Sequence, residues 1–296
     1  MVDIGIVGLD TSHSESFAAT IQEHGLAELT AVWDGGAVRS DAYADRFCER
    51  YEATRFAEPL DLVSAVDAVL ILTVNWDTHR ELAVPFLERG VPTLVDKPIA
   101  GSLEDVRAIR DAIGETPFFG GSAVPYQSAV RSLDSFGDQQ TVYCIGYDDT
   151  FYYGSHVIDT VRRLAGAPWT CASRANDPGQ TVDVAFEDGT YATVRLDDPS
   201  DDELFTFFSI GERTVRRDVG SSAEEMTEMY ENYIDTFLEV VAGARNPADR
   251  VLDAASLLLA VNAALEHPGP ITPNCRILSE YSVDGAAFLA EYEPYY

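Results

Sequence analysis

The first 121 residues repeat one pattern: a short apolar run, a turn, then a stretch of helical spacing. The runs fall at 2–8, 27–33, 67–74, 91–95 and 116–121. Helical stretches follow them through Phe17 and Ile21, over Ser40–Tyr51, over Asp77–Gly90 and from Ser102. Strands this short and continuously apolar are buried on both faces, as parallel strands between helices are. The alternation therefore predicts βαβ units and a doubly wound parallel sheet. Gly90 marks a helix end, and Glu104 and Asp105 suit the positive end of the next helix.

After Gly121 the spacing changes. A helix is predicted over Ser122–Phe136, an edge-like strand over Val142–Asp148 and a helix over Ser155–Leu164. Period-two alternation in Thr181–Phe186 meets the turn Glu187-Asp188-Gly189 and returns through Tyr191–Leu196, a hairpin. Phe205–Ile210 and Thr214–Val219, joined through Gly211, read as a second hairpin, and helices are predicted over Glu224–Ala242 and Arg250–Glu266, before a tail ending Tyr295-Tyr296. This half reads as an α+β domain with an antiparallel sheet. A chain of 296 residues exceeds one typical core, so two domains are expected, 1–121 and 122–296.

A net charge of −30, spread along the whole chain, argues against nucleic acid as a partner and opposes an anionic membrane. Such a surface repels itself in dilute buffer, and molar salt relieves that. With lysine nearly absent, a salt-rich cytoplasm is the expected setting. No run of eighteen apolar residues occurs, and Val2–Val7 does not read as a secretory signal, so no membrane span and a cytoplasmic location are expected. Cys48, Cys144, Cys171 and Cys275 lie far apart, which predicts free thiols and no metal site.

Lys97 is the sole lysine among 20 basic residues. It closes the apolar run Thr93-Leu94-Val95 within Asp96-Lys97-Pro98, where a strand meets a forced turn. Arginine stays charged, whereas a buried lysine titrates readily. Lys97 is thus a candidate catalytic or substrate-orienting group.

A first strand opening into a helix is where a dinucleotide-binding domain holds pyrophosphate with three glycines. Only Gly8 is glycine here. Asp10 takes the second place and His13 the third. At an effective dielectric near 20, a carboxylate about 4 Å from a phosphate charge repels it by roughly 4 kcal/mol. Ser12 and Glu15 fit a capping box that would satisfy the helix from within. Against that, Thr11, Ser12, His13 and Ser14 offer donors, and helix N-termini attract anions. Asp34 ends the second run and suits the ribose hydroxyls of NAD, disfavouring NADP. It equally suits a turn before Gly35-Gly36.

Three stretches together resemble the Gfo/Idh/MocA oxidoreductases, of which glucose–fructose oxidoreductase and inositol dehydrogenase are members. They are Asp67–Pro98 with its Asp-Lys-Pro, Gly154–Gly166 with its histidine, and Phe237–Pro247. The resemblance implies a Rossmann domain followed by an α+β domain with an open antiparallel sheet. It also implies hydride exchange between NAD(P) and a sugar, polyol or related hydroxy compound, and homodimers or homotetramers formed through that sheet. By position it implies that Lys97 bonds the reacting hydroxyl, Pro98 holds that loop by the nicotinamide, and His156 is the acid/base. Tyr152 stands where the family commonly has Asp, one turn before the histidine; Tyr152, His156 and Asp159 would share a helical face, with Asp159 able to orient His156. Asn75 and His79 match the loop lining the cofactor pocket, and Asp96 replaces the family's Glu. His79 and His156 could each instead be structural. The competing expectation is a non-catalytic binding or scaffold protein, motivated by Asp10 and the internal cap. A third is an enzyme that keeps NAD bound as a transient oxidant.

Overall fold

The computed structural model describes residues 1–135, 141–197 and 205–294. Phe136 and the final Tyr295-Tyr296 of the expected elements lie outside these. Six strands form the first sheet: β1 (Val2–Val7), β2 (Ala27–Trp33), β3 (Thr54–Arg55), β4 (Ala68–Ile71), β5 (Thr93–Asp96) and β6 (Phe118–Gly121). Their order is β3-β2-β1-β4-β5-β6 and every pair is parallel. This is the doubly wound Rossmann order, whose strand direction of growth reverses between β1 and β4 and opens a crevice there. The helices of this half are α1 (Ser12–Glu23), α2 (Asp41–Arg50), α3 (His79–Leu87) and α4 (Leu103–Ile113). Ser40 and Ser102 cap α2 and α4 by accepting the Tyr43 and Asp105 amides.

The capping box expected at the head of α1 is not formed. Thr11 is the cap residue and makes no side-chain cap bond. Glu15 is drawn away by the hydroxyls of Tyr43 and Tyr51, each at 2.8 Å, and by Arg50 at 3.1 Å. Two phenols and a guanidinium outcompete one backbone amide for that carboxylate.

The second sheet holds β7 (Thr141–Ile145), β8 (Trp169–Arg174), β9 (Thr181–Phe186), β10 (Tyr191–Arg195), β11 (Thr206–Ile210) and β12 (Thr214–Asp218), in the order β12-β11-β7-β10-β9-β8. It is open and antiparallel except for one parallel pair, β7 with β10. β7 is central, not an edge as its sequence suggests, because both hairpins dock on it. The helix expected over Ser122–Phe136 is broken in the described part: a 3-10 turn at Val124–Tyr126, a single helical turn α5 (Ser128–Arg131), then another 3-10 turn. Pro125 lacks the amide a continuous helix would use.

Helices α6 (Gly154–Leu164), α7 (Ala223–Val241) and α8 (Ala248–Glu266) join the halves. The Tyr233 ring of α7 lies 4.8 Å from Phe119 of β6 and 5.5 Å from Phe17 of α1, and its hydroxyl donates to the Gly121 carbonyl at 2.7 Å. Aromatic pairs of this kind add about 0.5–1.5 kcal/mol each beyond burial. Two short helices, α9 (Arg276–Glu280) and α10 (Gly285–Glu291), bring the chain back to the first half. There the Val283 amide donates to Gly101 and the Val283 carbonyl accepts from the Trp76 indole at 2.7 Å, while Asp77 receives the Gly285 and Ala286 amides.

Candidate active site

The loop after β1 is shaped first by Gly8. Its φ is +94°, and a Cβ there would sit 2.6 Å from the Thr73 methyl and 2.9 Å from the Thr73 amide. Only glycine allows β1 and β4 to approach so closely at the crevice. Asp10 then turns inward, and its carboxylate accepts the Val74 amide at 2.9 Å. Burial, with a smaller push from nearby Asp34, outweighs the Val74 bond and Arg39 and leaves its pKa raised to about 6. The objection it poses to phosphate is therefore lifted only as the pH falls through about 6.

His13 does not leave the open space a glycine would. Its Nδ1 lies 2.7 Å from Asp96, and its ring stacks on Phe17 at 5.0 Å with Tyr230 edge-on. The pair ties the head of α1 to the end of β5. Burial alone would raise the Asp96 pKa, but His13 and then Lys97 outweigh it and hold it below the usual carboxylate range.

Lys97 is 5% exposed. Its ammonium lies 3.1 Å from the Tyr152 ring centre and 5.3 Å from that of Tyr153. Tyr152 therefore offers Lys97 its ring face, a cation–π cap. Tyr152 also lies outside the helix. Asp149 takes the Phe151 and Tyr152 amides and closes a turn, and α6 starts only at Gly154, so the shared helical face reduces to His156 and Asp159. Burial brings the Lys97 pKa down to about 7 despite Asp96, Asp149 and Asp159.

His156 faces the same cavity from the other half. Its Nδ1 lies 2.6 Å from the Ser122 hydroxyl. Burial, Lys97 and His13 together hold its pKa well below the usual imidazole value, so the ring is neutral. Asp159 does not reach it. That carboxylate instead accepts the Ser122 amide, and burial raises its pKa to about 7.

These groups converge on a cavity of about 400 Å³, lined by Thr11, Ser12, His13, Lys97, Tyr152 and His156 on its polar side. Phe205, Val219, Met226, Met229 and Tyr230 make the apolar wall. A second cavity of about 300 Å³ opens between the ends of β2 and β4, with Asp10, Trp33, Gly35, Thr73, Asn75 and Leu289 around it. Asp34 lies between Trp33 and Gly35, its oxygens accepting the Leu9 amide at 3.0 Å and the Gly36 amide at 3.3 Å. Pro98 follows Lys97 through a cis peptide.

His79 faces neither cavity. It is fully buried, with one ring nitrogen 2.8 Å from the Thr73 carbonyl and the other 3.1 Å from that of Ile99. It braces the lysine loop from behind instead of lining the cofactor pocket. Sequence reasoning passed over Ser122, the α7 wall and Leu289. A serine after two glycines carries no periodic signal, and Met226, Met229 and Tyr230 read as core spacing in a long helix.

A dinucleotide fits these features. Among the described residues the Thr11 hydroxyl at the head of α1 is buried without a hydrogen-bond partner, Thr11 makes no side-chain cap bond to that helix, and the two cavities flank the strand-order reversal. The molecule is thus a Rossmann half joined to an open-sheet half, with a buried lysine and a histidine at their seam.

Comparison with known proteins follows the same division. Residues 2–117 match the family model described as "Oxidoreductase family, NAD-binding Rossmann fold". An inositol 2-dehydrogenase of Klebsiella pneumoniae (strain 342) is 31% identical over 110 residues, 37% of this chain and 32% of that one. The aligned part spans about a third of that relative's length. Whole-chain likeness comes from structures: apo scyllo-inositol dehydrogenase from Lactobacillus casei superimposes with a TM-score of 0.75 at 17% identity, covering 93% of this chain and 99% of that one. An oxidoreductase from Agrobacterium radiobacter, solved with NAD+, L-tartaric acid and magnesium, gives 0.75 at 13% identity over 92% and 98%. At such identities these two likenesses establish the fold.

Proposed function

We propose that this chain is an NAD-dependent oxidoreductase of the Gfo/Idh/MocA type that interconverts a hydroxyl and a carbonyl on a sugar, polyol or related small molecule. One observation carries the reading: the only lysine of the chain and a neutral imidazole, contributed by opposite halves, line one cavity beside the Rossmann crevice. The match over residues 2–117 supports NAD as the cofactor, and the names of the similar proteins support the substrate class. Asp34 would take the adenosine ribose and disfavour an extra phosphate there. Thr11, Ser12 and the head of α1 would take the pyrophosphate. The second cavity, with Asn75 and Leu289, would hold the adenosine end.

When bound, NAD supplies the hydride acceptor. Lys97, with a pKa near 7, exchanges protons at neutral pH, which suits a group beside the reacting oxygen. His156 supplies the second polar contact to that oxygen, and the Tyr152 ring keeps Lys97 aimed into the cavity. The scaffold reading loses one of its two supports, since the internal cap is absent. In the oligomer we propose, a second copy covers the outer face of the second sheet, where Tyr143, Tyr191 and Ile210 are 46%, 42% and 40% exposed. Sedimentation tests that separately.

The activity test is nicotinamide absorbance across a panel of polyols and hydroxy compounds in molar KCl. NAD at 100 times its Kd should add about 2.7 kcal/mol to unfolding stability. The absence of both turnover and a thermal shift, with NAD and with NADP, would defeat the reading.

A further inference from the structure

Ser122 sits at the seam, directly after β6, and is 1% exposed. Its hydroxyl meets two groups. The Val124 amide donates to it at 3.0 Å, and His156 Nδ1 lies 2.6 Å away. The backbone amide of Ser122 is separately anchored on Asp159 of the same helix as His156, so the hydroxyl is held in place from both sides. A serine hydroxyl has one hydrogen to give. Among the described residues, Nδ1 is the acceptor that meets it. If Nδ1 carried the hydrogen and donated to Ser122, the serine's own hydrogen would be buried without an acceptor, which proteins avoid.

Resting on the dehydrogenase reading above, we propose that Ser122 is a positioning residue that holds His156 as its Nε2–H tautomer. His156 then meets the reacting oxygen as a hydrogen-bond donor, and the substrate's hydroxyl proton goes to Lys97. In the oxidative direction the substrate O–H bond breaks and its proton joins the neutral Lys97 amine. The adjacent C–H bond breaks with both electrons, which leave as hydride to the bound nicotinamide, and the C=O bond forms. Reduction reverses each transfer. The charged and titratable groups around the pair agree with this division. Asp96, Asp149 and Asp159 face Lys97, yet burial still leaves it able to be neutral near pH 7, while Lys97 and His13 face His156 and disfavour a second proton on its ring.

Five histidines make the tautomer readable by nitrogen NMR of histidine-labelled full-length protein, with His156→Gln used to assign the signal. A protonated Nε2 and a bare Nδ1 are expected in the native chain. In Ser122→Ala that preference should weaken into a mixture. A native Nδ1–H tautomer, or an unchanged tautomer in Ser122→Ala, overturns the proposal. In kinetics, Ser122→Ala should lower kcat by at least about tenfold with KM within about twofold, and Ser122→Cys should recover part of it. The limb of the pH profile near 7 should persist in Ser122→Ala, because it belongs to Lys97. Its disappearance, or full kcat in Ser122→Ala, would count against the division of roles. The NMR result stands apart from turnover, so an inactive protein would defeat the dehydrogenase reading while leaving Ser122 testable.

Discussion

Two histidines, His79 fully buried and His156 half-buried, address the same lysine loop from opposite sides, and they differ in what surrounds them. His79, behind the loop, spans two backbone carbonyls and closes a gap in the core. His156, in front, meets one hydroxyl and opens on a cavity. Burial is the largest influence on both, and it lowers both pKa values. The titration direction alone would not tell them apart. What separates brace from reactive group is whether the second ring nitrogen is enclosed by backbone or faces a cavity.

That contrast fails if the front of the loop proves structural or the back proves chemical. The largest effect is expected at the front: Lys97→Ala should lower kcat by about 10²–10⁴-fold, with native-like circular dichroism. Activity that survived would remove Lys97 from the reaction. At the back, His79→Leu should cost about 2–4 kcal/mol in urea unfolding, because the buried carbonyl that takes the ring N–H loses its donor and the packed ring is replaced by a different shape. A mild stability effect with a large kcat effect would move His79 to the chemistry.

A third test sharpens the contrast through pH. The Lys97 amine titrates near 10.5 when unfolded and about 7 when folded. Between these values the unfolded chain binds a proton that the folded chain has lost, so stability rises with pH across that window. Below pH 7 both states are protonated and burying the charge disfavours folding. Lys97→Met should therefore be more stable than the native chain at pH 6, with the gain fading towards pH 10.5. Denaturant midpoints at several pH values would measure it. The smallest effect concerns Asp10. Removing its charge in Asp10→Asn should tighten NAD binding by about tenfold at pH 8, and the gap should close as pH falls through 6 and the native carboxyl protonates. Calorimetric titration at the two pH values would show whether it does.

Apolar runs told the first sheet well. The run at 27–33 became β2 with those bounds, and β9 likewise matches the run at 181–186. Burial on both faces, or alternation between a wet and a dry face, leaves a local trace in composition. β3 is two residues long and β8 reads Trp-Thr-Cys-Ala-Ser-Arg, with little contrast between faces, so neither was legible. The central place of β7 depends on which hairpins dock beside it, and Thr141–Ile145 records no partner. In the site, Lys97 and His156 stood out because their chemistry is rare in this chain. Ser122 and Leu289 did not, since their roles come from neighbours that are distant in sequence. Glu15 was misread for the same reason: the tyrosines that capture it lie 28 and 36 positions away.

The return of Val283–Glu291 to Trp76 and Asp77 has a consequence for biosynthesis. The nucleotide half is translated before the pieces that cover its Trp76 flank and contribute Leu289 to its crevice. A nascent chain halted after residue 121 would hold every strand of the first sheet but lack this cover. Maturation of that half therefore waits on the other.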